Sequence, residues 1–194
     1  MGRTPGTELS GRTLMLLSMA LVFGLIFLGA GVYGLLGLVT SSGHRTPGIN
    51  EHRIEMEIHE KINDRRTARG LEPLEYDVEL AQIAGNYSRE MAEKGFFSHT
   101  SPSGEDFLDR YREAGYRCRV RISERRYAKG GENLYSLHTD SFHNWTEERI
   151  ASMAVKGWMN SEGHRENLLR PYWENEGIGV YIRGDHFFAT QNFC

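Results

Sequence analysis

An uninterrupted apolar run near the N-terminus is the feature that most constrains how this chain can fold. The run extends from Leu14 to Val39, 26 residues without a charged side chain. About 20 apolar residues are enough to cross a bilayer as a helix, and glycines such as those in the run are common in membrane helices. We therefore predict a transmembrane helix over 14–39, a linker with Gly and Pro over 40–50, and one domain over 51–194.

A cleavable signal peptide is the alternative interpretation of this run. The apolar stretch of a signal peptide is usually ~7–15 residues long, and no clear A-x-A cleavage site follows here. Arg3 and Arg12 precede the run with only Glu8 opposing them, so the positive-inside rule keeps segment 1–13 in the cytoplasm. We expect an uncleaved, single-pass anchor in the cell membrane, with the domain on the extracellular side.

Charge and cysteine content restrict the partners of the domain. Beyond Arg45 the chain has 20 Lys and Arg residues against 25 Asp and Glu, an acidic balance that argues against a nucleic-acid partner. Cys118 and Cys194 are an even pair in an oxidising compartment, which favours one disulfide over two buried free thiols. Asn86 and Asn144 begin the sequons N-Y-S and N-W-T, so both are candidate N-glycosylation sites.

Hydrophobic periodicity predicts an α+β domain. Apolar residues four apart predict a helix from Glu51 to Arg69, and helical periods recur in YDVELAQIAGNYSREMAEKG, SGEDFLDRYREAG and TEERIASMAVKGWMN. Asp77 is a candidate N-cap of the second helix, and Gly95 marks its end. Arginines alternate with apolar residues in YRCRVRI, which predicts a strand, and two further strands meet in a hairpin at Gly184. We expect these helices to pack on a small sheet.

The common enzyme motifs are missing from the sequence. HEKIN at His59 begins like a zinc-protease helix, but Asn63 stands where the second histidine ligand belongs. There is no G-x-S-x-G, P-loop or C-x-x-C motif. His99, Glu132 and His164 are polar residues in apolar surroundings, competent to bind a divalent metal or to perform acid–base chemistry if they converge. Taken singly, each is more typical of a hydrogen-bonded structural residue.

Five motifs follow one another in a family-specific order: GFFSHTSPSGED, GENLY, GWMNSEGHRENLL, EGIGVYI and FFATQNFC. With these motifs the chain resembles the CAP superfamily (cysteine-rich secretory, antigen-five and pathogenesis-related-one proteins), also called the SCP domain, and its short microbial members in particular. The resemblance covers residues 54–194. It implies an α-β-α sandwich with a central antiparallel sheet and a shallow polar cleft, and it constrains the fold much more than the function.

The resemblance also assigns residues to the cleft. Larger animal members of the family hold two histidines and two glutamates there, in several cases with zinc or another divalent ion. By motif, the histidines correspond to His99 and His164, and one glutamate corresponds to Glu132. The second glutamate follows a tryptophan by three residues, and Ser161 occupies that place here. We therefore expect a divalent metal, most naturally zinc, to bind less tightly than in those members.

A binding module is favoured over an enzyme, because neither a nucleophile nor a complete ligand set can be identified. We predict an extracellular ligand, either a lipid, a glycan or another envelope component, held in the cleft with Ser161, Arg165 and Asn167 in support. A metal-assisted hydrolase with Glu132 as the candidate base is the alternative. A structural or adhesion domain is the third interpretation.

Overall fold

The computed structural model describes residues 1–2 and 48–194. The predicted transmembrane helix over 14–39, its cytoplasmic flank and most of the linker lie outside these residues. Within the described ranges, no helix is both long enough and apolar enough to cross a membrane.

The described part of the domain contains five α-helices and six β-strands. The helices are α1 (Glu51–Thr67), α2 (Val78–Lys94), α3 (Phe107–Glu113), α4 (Glu147–Asn160) and α5 (Glu162–Leu168). The strands are β1 (Glu75–Tyr76), β2 (Val120–Arg121), β3 (Tyr127–Ala128), β4 (Gly131–His138), β5 (Asn175–Arg183) and β6 (His186–Phe193). The predicted α+β class is therefore confirmed.

Four strands form the central sheet, in the order β1-β5-β6-β4. β6 is antiparallel to both β5 and β4, but β1 runs parallel to β5. The sheet is therefore mixed, and the antiparallel sheet implied by the resemblance is corrected at this edge. The parallel strand contains only Glu75 and Tyr76, and a strand of this length leaves no alternating pattern in the sequence. β2 and β3 form a separate antiparallel pair.

Helix α2 packs on one face of the sheet, and α1 and α4 pack on the other, which gives three α-β-α layers. Alternate residues of a strand point to opposite faces, so Gly177 and Gly179 face α2 while Ile178 and Val180 face α1. A Cβ atom added to Gly179 would lie 1.9 Å from the backbone nitrogen of Gly85. The alternating glycines of EGIGVYI therefore allow α2 and β5 to meet at backbone distance.

Several local predictions are confirmed by the structure. Asp77 caps α2 by accepting hydrogen bonds from two backbone N–H groups of the first turn, and Gly95 ends the helix in the left-handed conformation, with φ of 69°.

The strand predicted in YRCRVRI is shorter than expected. Only Val120 and Arg121 pair with β3, because β3 itself is two residues long.

A disulfide joins Cys118 to Cys194 across a sequence separation of 76 residues. This bond confirms the predicted disulfide and excludes the alternative of two free thiols. Beside it, Cys194 and Asn175 exchange two backbone hydrogen bonds, of 2.7 and 2.9 Å. The end of β6 is thus attached both covalently and through the sheet.

Candidate functional site

His99, Glu132 and His164 come together from three different elements. His99 lies in the loop after α2, Glu132 lies on β4, and His164 lies in the first turn of α5. Nδ1 of His99 is 2.8 Å from Oε1 of Glu132. The ring centroids of His99 and His164 are 6.5 Å apart. The residues selected from the sequence are therefore neighbours, and we call them the histidine cleft.

Arg110 on α3 completes this cluster, although no motif pointed to it. Its Nη2 donates to Oε2 of Glu132 at 2.6 Å, and its guanidinium carbon lies 3.3 Å from the centroid of the Tyr87 ring. A guanidinium placed on an aromatic face is held by a cation–π interaction as well as by its ion pair. The sequence offers one indication of its position. Arg110 follows the inward-facing Phe107 by three residues, so the helical period places both on one side of α3.

Glu132 is buried and uses both of its carboxylate oxygens. Its side chain is 1% exposed, with Oε1 paired to His99 and Oε2 paired to Arg110. These partners compensate the cost of burying the charge. A general base must reach the proton that it abstracts, so this placement favours an orienting role for Glu132 over that of a base.

The pairing with Glu132 determines which nitrogen of His99 is available. Nδ1 faces the carboxylate, while the side chain as a whole is 55% exposed. A carboxylate at Nδ1 orients the ring and leaves Nε2 on the opposite side of it. His99 therefore presents an oriented and accessible Nε2.

His164 is more buried than His99. Burial lowers the pKa of His164, and the neighbouring His99 lowers this pKa further. The imidazole of His164 is therefore neutral over a wider pH range than an ordinary histidine, which suits a nitrogen donor. Its backbone carbonyl accepts a hydrogen bond from Nδ2 of Asn133 at 3.3 Å, so α5 is attached to β4 at this point.

The three residues expected to support the cleft have different surroundings. Nδ2 of Asn167 donates to the backbone carbonyl of Glu132 at 3.2 Å, which connects α5 directly to the cleft strand. Arg165 donates to the carbonyl of Met159 at 3.0 Å, so it braces the junction of α4 and α5 instead. Ser161 separates these two helices, and its side chain makes no capping hydrogen bond.

The donors that remain for a divalent ion in the cleft are the nitrogens of two histidines. Glu132 is engaged by its two partners, and Ser161 replaces the second glutamate of the larger family members. The remaining donors are Nε2 of His99 and the imidazole of His164. Zinc accepts nitrogen ligands of this type, with water in open positions. A zinc ion here would thus have fewer protein ligands than the sequence alone led us to expect.

The two sequon asparagines lie on the surface. Asn86 is an exposed residue of α2, and Asn144 is exposed in the loop before α4. N-linked glycans require such exposure. Both residues therefore stay predicted acceptor sites.

An apolar cavity of about 550 Å³ lies between the C-terminal end of α2 and strands β4 and β6. Its walls include Phe97, Ser136 and Phe188. Ser136 and Glu132 point to the same side of β4, about 13 Å apart along the strand. The segment that carries Phe97 reaches His99 two residues later. Glu132 of the histidine cleft and Ser136 of the cavity wall therefore lie on the same face of the sheet.

Comparison with known proteins shows the family of the chain. The sequence profile of the cysteine-rich secretory protein family (CAP) matches residues 59–193. YkwD of Bacillus subtilis (strain 168) is 31% identical over 137 residues, which are 71% of this chain and 46% of YkwD. The membrane protein YlbC of the same organism is 32% identical over 139 residues, which are 72% of this chain and 34% of YlbC.

A solved structure agrees with this match. The crystal structure of an extracellular protein with an SCP domain from Bacillus anthracis str. Ames has a TM-score of 0.59 and 30% identity, covering 78% of this chain and 44% of that one. The chain thus spans less than half the length of these three relatives. With the profile match over most of the described domain, the chain belongs to the cysteine-rich secretory protein (CAP) family and is of the bacterial type.

Proposed function

We propose that this protein is a membrane-anchored, extracellular binding module for an amphiphilic component of the cell envelope. One observation carries the proposal: Glu132 of the histidine cleft and Ser136 of the cavity wall point to the same face of β4, about 13 Å apart along the strand. A ligand with a polar head and an apolar chain complements such a pair of surfaces. Among the ligand classes expected from the sequence, a lipid therefore has the best support.

The cavity supports the apolar half of this ligand. Its volume of about 550 Å³ lies within the range of about 300–1,000 Å³ that is usual for small-molecule sites. Phe97 is 50% exposed at its rim, and Phe188 is 8% exposed in its wall. An acyl chain that covers both rings would remove apolar surface from water, which favours binding.

The anchor is supported by the sequence and by two relatives. The uncharged run over 14–39 is long enough to span a bilayer. YlbC is named as a membrane protein, and the Bacillus anthracis relative is described as extracellular. A domain tethered to a bilayer meets lipid at a high effective concentration, so a modest intrinsic affinity would be sufficient.

The hydrolase alternative has less support, because Glu132 is 1% exposed and both of its oxygens are paired. Zinc in the cleft, if bound, would be held by His99 and His164. Such an ion would add positive charge that attracts an anionic head group. A metal in this place is therefore compatible with a binding module.

The test is binding of a fluorescent long-chain fatty acid to residues 44–194, which form a compact unit. We expect saturable binding by the wild-type domain and at least about tenfold weaker binding by Phe97→Asp, because a charge in the cavity opposes transfer of the chain from water. Val78→Asp is the matched control. Val78 is an exposed apolar residue outside the cavity, and an aspartate in the first turn of α2 is favourable.

The remaining variants separate the alternatives. Replacement of both His99 and His164 by Ala is expected to weaken binding while leaving the domain folded. Equal affinities of Phe97→Asp and Val78→Asp would refute the cavity as the ligand site, and failure of the wild-type domain to bind would favour the structural interpretation. Metal-dependent ester hydrolysis that Glu132→Gln abolishes without unfolding would favour the hydrolase.

A further inference from the structure

Two histidines and an aspartate cluster at the edge where β4 ends and β6 begins, away from the histidine cleft. The register of β4 and β6 places His138 directly opposite His186. Asp185 precedes His186 in the turn that connects β5 to β6. The two imidazole centroids are 4.2 Å apart. One ligand atom from each of the three residues lies within 4.8 Å of the other two.

We propose that His138, Asp185 and His186 bind a divalent transition-metal ion. Oδ1 of Asp185 lies 3.0 Å from Nδ1 of His186 and 3.8 Å from Nδ1 of His138. Two ligand atoms that share a tetrahedral zinc ion, each about 2.05 Å from it, are about 3.4 Å apart. The observed distances lie on either side of this separation, so small side-chain rotations would bring the ligands into place.

The sheet prepares the site before any ion arrives. β4 pairs with β6 along its full length, from Gly131 opposite Phe193 to His138 opposite His186. The backbone of both histidines is therefore already ordered, which reduces the entropy lost on binding. The side chains of His138, Asp185 and His186 are 58%, 48% and 50% exposed. An ion can therefore reach them without local unfolding, and water can complete its coordination.

The ligand set selects the class of ion. Imidazole nitrogen suits Zn²⁺, Cu²⁺ and Ni²⁺, whereas Mg²⁺ and Ca²⁺ require oxygen ligands. The carboxylate of Asp185 supplies a negative charge to the site. The nearby cation is Arg183, whose Nη1 donates to the backbone carbonyls of Ala92 and Glu93. The guanidinium charge of Arg183 is thus held at the C-terminal end of α2. The partial negative charge of a helix C-terminus stabilises a cation in this place.

The proposed metal site also borders the apolar cavity, because His138 and His186 contribute to the cavity wall. It shares no residue with the histidine cleft, so separate variants distinguish metal binding at the two places.

The test is a Zn²⁺ titration of the full chain in a non-ionic detergent, in competition with a chromophoric chelator. We expect His138→Ala, His186→Ala and Asp185→Asn each to weaken one Zn²⁺ site by at least about tenfold, since loss of even an outer-shell partner has effects of this size. His143→Ala is the matched control, because His143 is an exposed histidine outside the cluster. The same measurement with Mg²⁺ is expected to show no competition.

Two further results distinguish this site from the histidine cleft. A variant with both His99→Ala and His164→Ala should retain the site. Zn²⁺ should raise the melting temperature of that variant, but not of the same variant with His186→Ala added. The proposal is overturned if Zn²⁺ affinity is the same in the wild-type, His138→Ala and His186→Ala proteins. It is equally overturned if replacement of the cleft histidines removes all Zn²⁺ binding. A failure of fatty-acid binding would leave these outcomes unchanged.

Discussion

Two buried glutamates on opposite faces of the sheet each hold a histidine, but the two histidines differ in their access to solvent. Glu132 on β4 pairs with His99 at 2.8 Å, and Glu176 on β5 pairs with His59 at 2.6 Å. The two carboxylate side chains are 1% and 0% exposed. His99 is 55% exposed, whereas His59 is 14% exposed. The pairs therefore share their chemistry and differ in their surroundings.

The second ring nitrogen shows the difference most clearly. Nε2 of His59 lies 3.3 Å from Nδ2 of Asn63, and Nε2 of Gln191 donates to Oε2 of Glu176. This network is satisfied within the protein, as buried polar groups require. His99 instead presents its Nε2 at the surface, beside a second histidine. A histidine–glutamate pair thus indicates a site only where the second nitrogen is accessible.

The largest effect is expected from removing the buried carboxylate. Glu176→Ala leaves His59 and Gln191 without their partner and removes a charge that balances the buried Arg66. Breaking a buried pair in this way costs about 3–5 kcal/mol. The free energy of unfolding, measured with urea and tryptophan fluorescence, should fall by that amount, while the folded fraction keeps its fatty-acid affinity. A loss below about 1 kcal/mol would show that this pair is not structural.

Loss of the disulfide is expected to affect both pairs alike, because β6 lies between the strands that carry the two glutamates. Replacement of Cys118 and Cys194 by Ser removes a cross-link that closes a long loop, which costs about 2–4 kcal/mol. Thermal unfolding with and without reductant measures this contribution in the wild-type protein. An unchanged melting temperature under reductant would mean that the cross-link contributes nothing to stability.

The histidine cleft could be predicted from its motifs, but its chemistry could not. The order of five short motifs in the chain selects His99, Glu132 and His164, and the fold brings these residues together. Arg110 belongs to the same cluster, yet it sits on a seven-residue helix whose polar face is decided by packing against Tyr87. Because Arg110 and His99 occupy both carboxylate oxygens of Glu132, this residue is better placed to orient His99 than to act as a base.

The buried pair could not be predicted, because His59 and Glu176 are 117 residues apart and no spacing relates them. Asn63, which argues against HEKIN as a metal motif, contacts Nε2 of His59. The parallel pairing of β1 with β5 could not be predicted either, because it also joins residues far apart in the sequence. β1 has two residues, and its pairing with β5 depends on tertiary contact rather than on local pattern.

The smallest effect expected is a pH dependence of stability that comes from His164. Burial and His99 lower the pKa of His164 from its usual value of 6.5. The unfolded chain therefore binds this proton more readily, so stability is lost as the pH falls below the unfolded value. His164→Gln should lose less stability than the wild-type domain between pH ~7 and ~5.5.

The control for this pH effect is His52→Gln, since the side chain of His52 is 72% exposed. Urea unfolding at a series of pH values provides the comparison. The control should follow the wild-type curve, whereas His164→Gln should depart from it on the acidic side. If stability depends on pH in the same way in all three proteins, His164 has the same pKa in the folded and unfolded states, which would contradict this prediction.

The most direct test of the difference between the two pairs is an NMR titration of the histidine rings with the fatty acid. The signals of His59, His99 and His164 can be assigned with single His→Gln variants. We predict that the ring signals of His99 and His164 shift in proportion to ligand occupancy, while the signal of His59 stays in place. Saturating ligand that moves neither cleft histidine, or that moves His59 equally, would contradict the assignment of the binding site to the exposed pair.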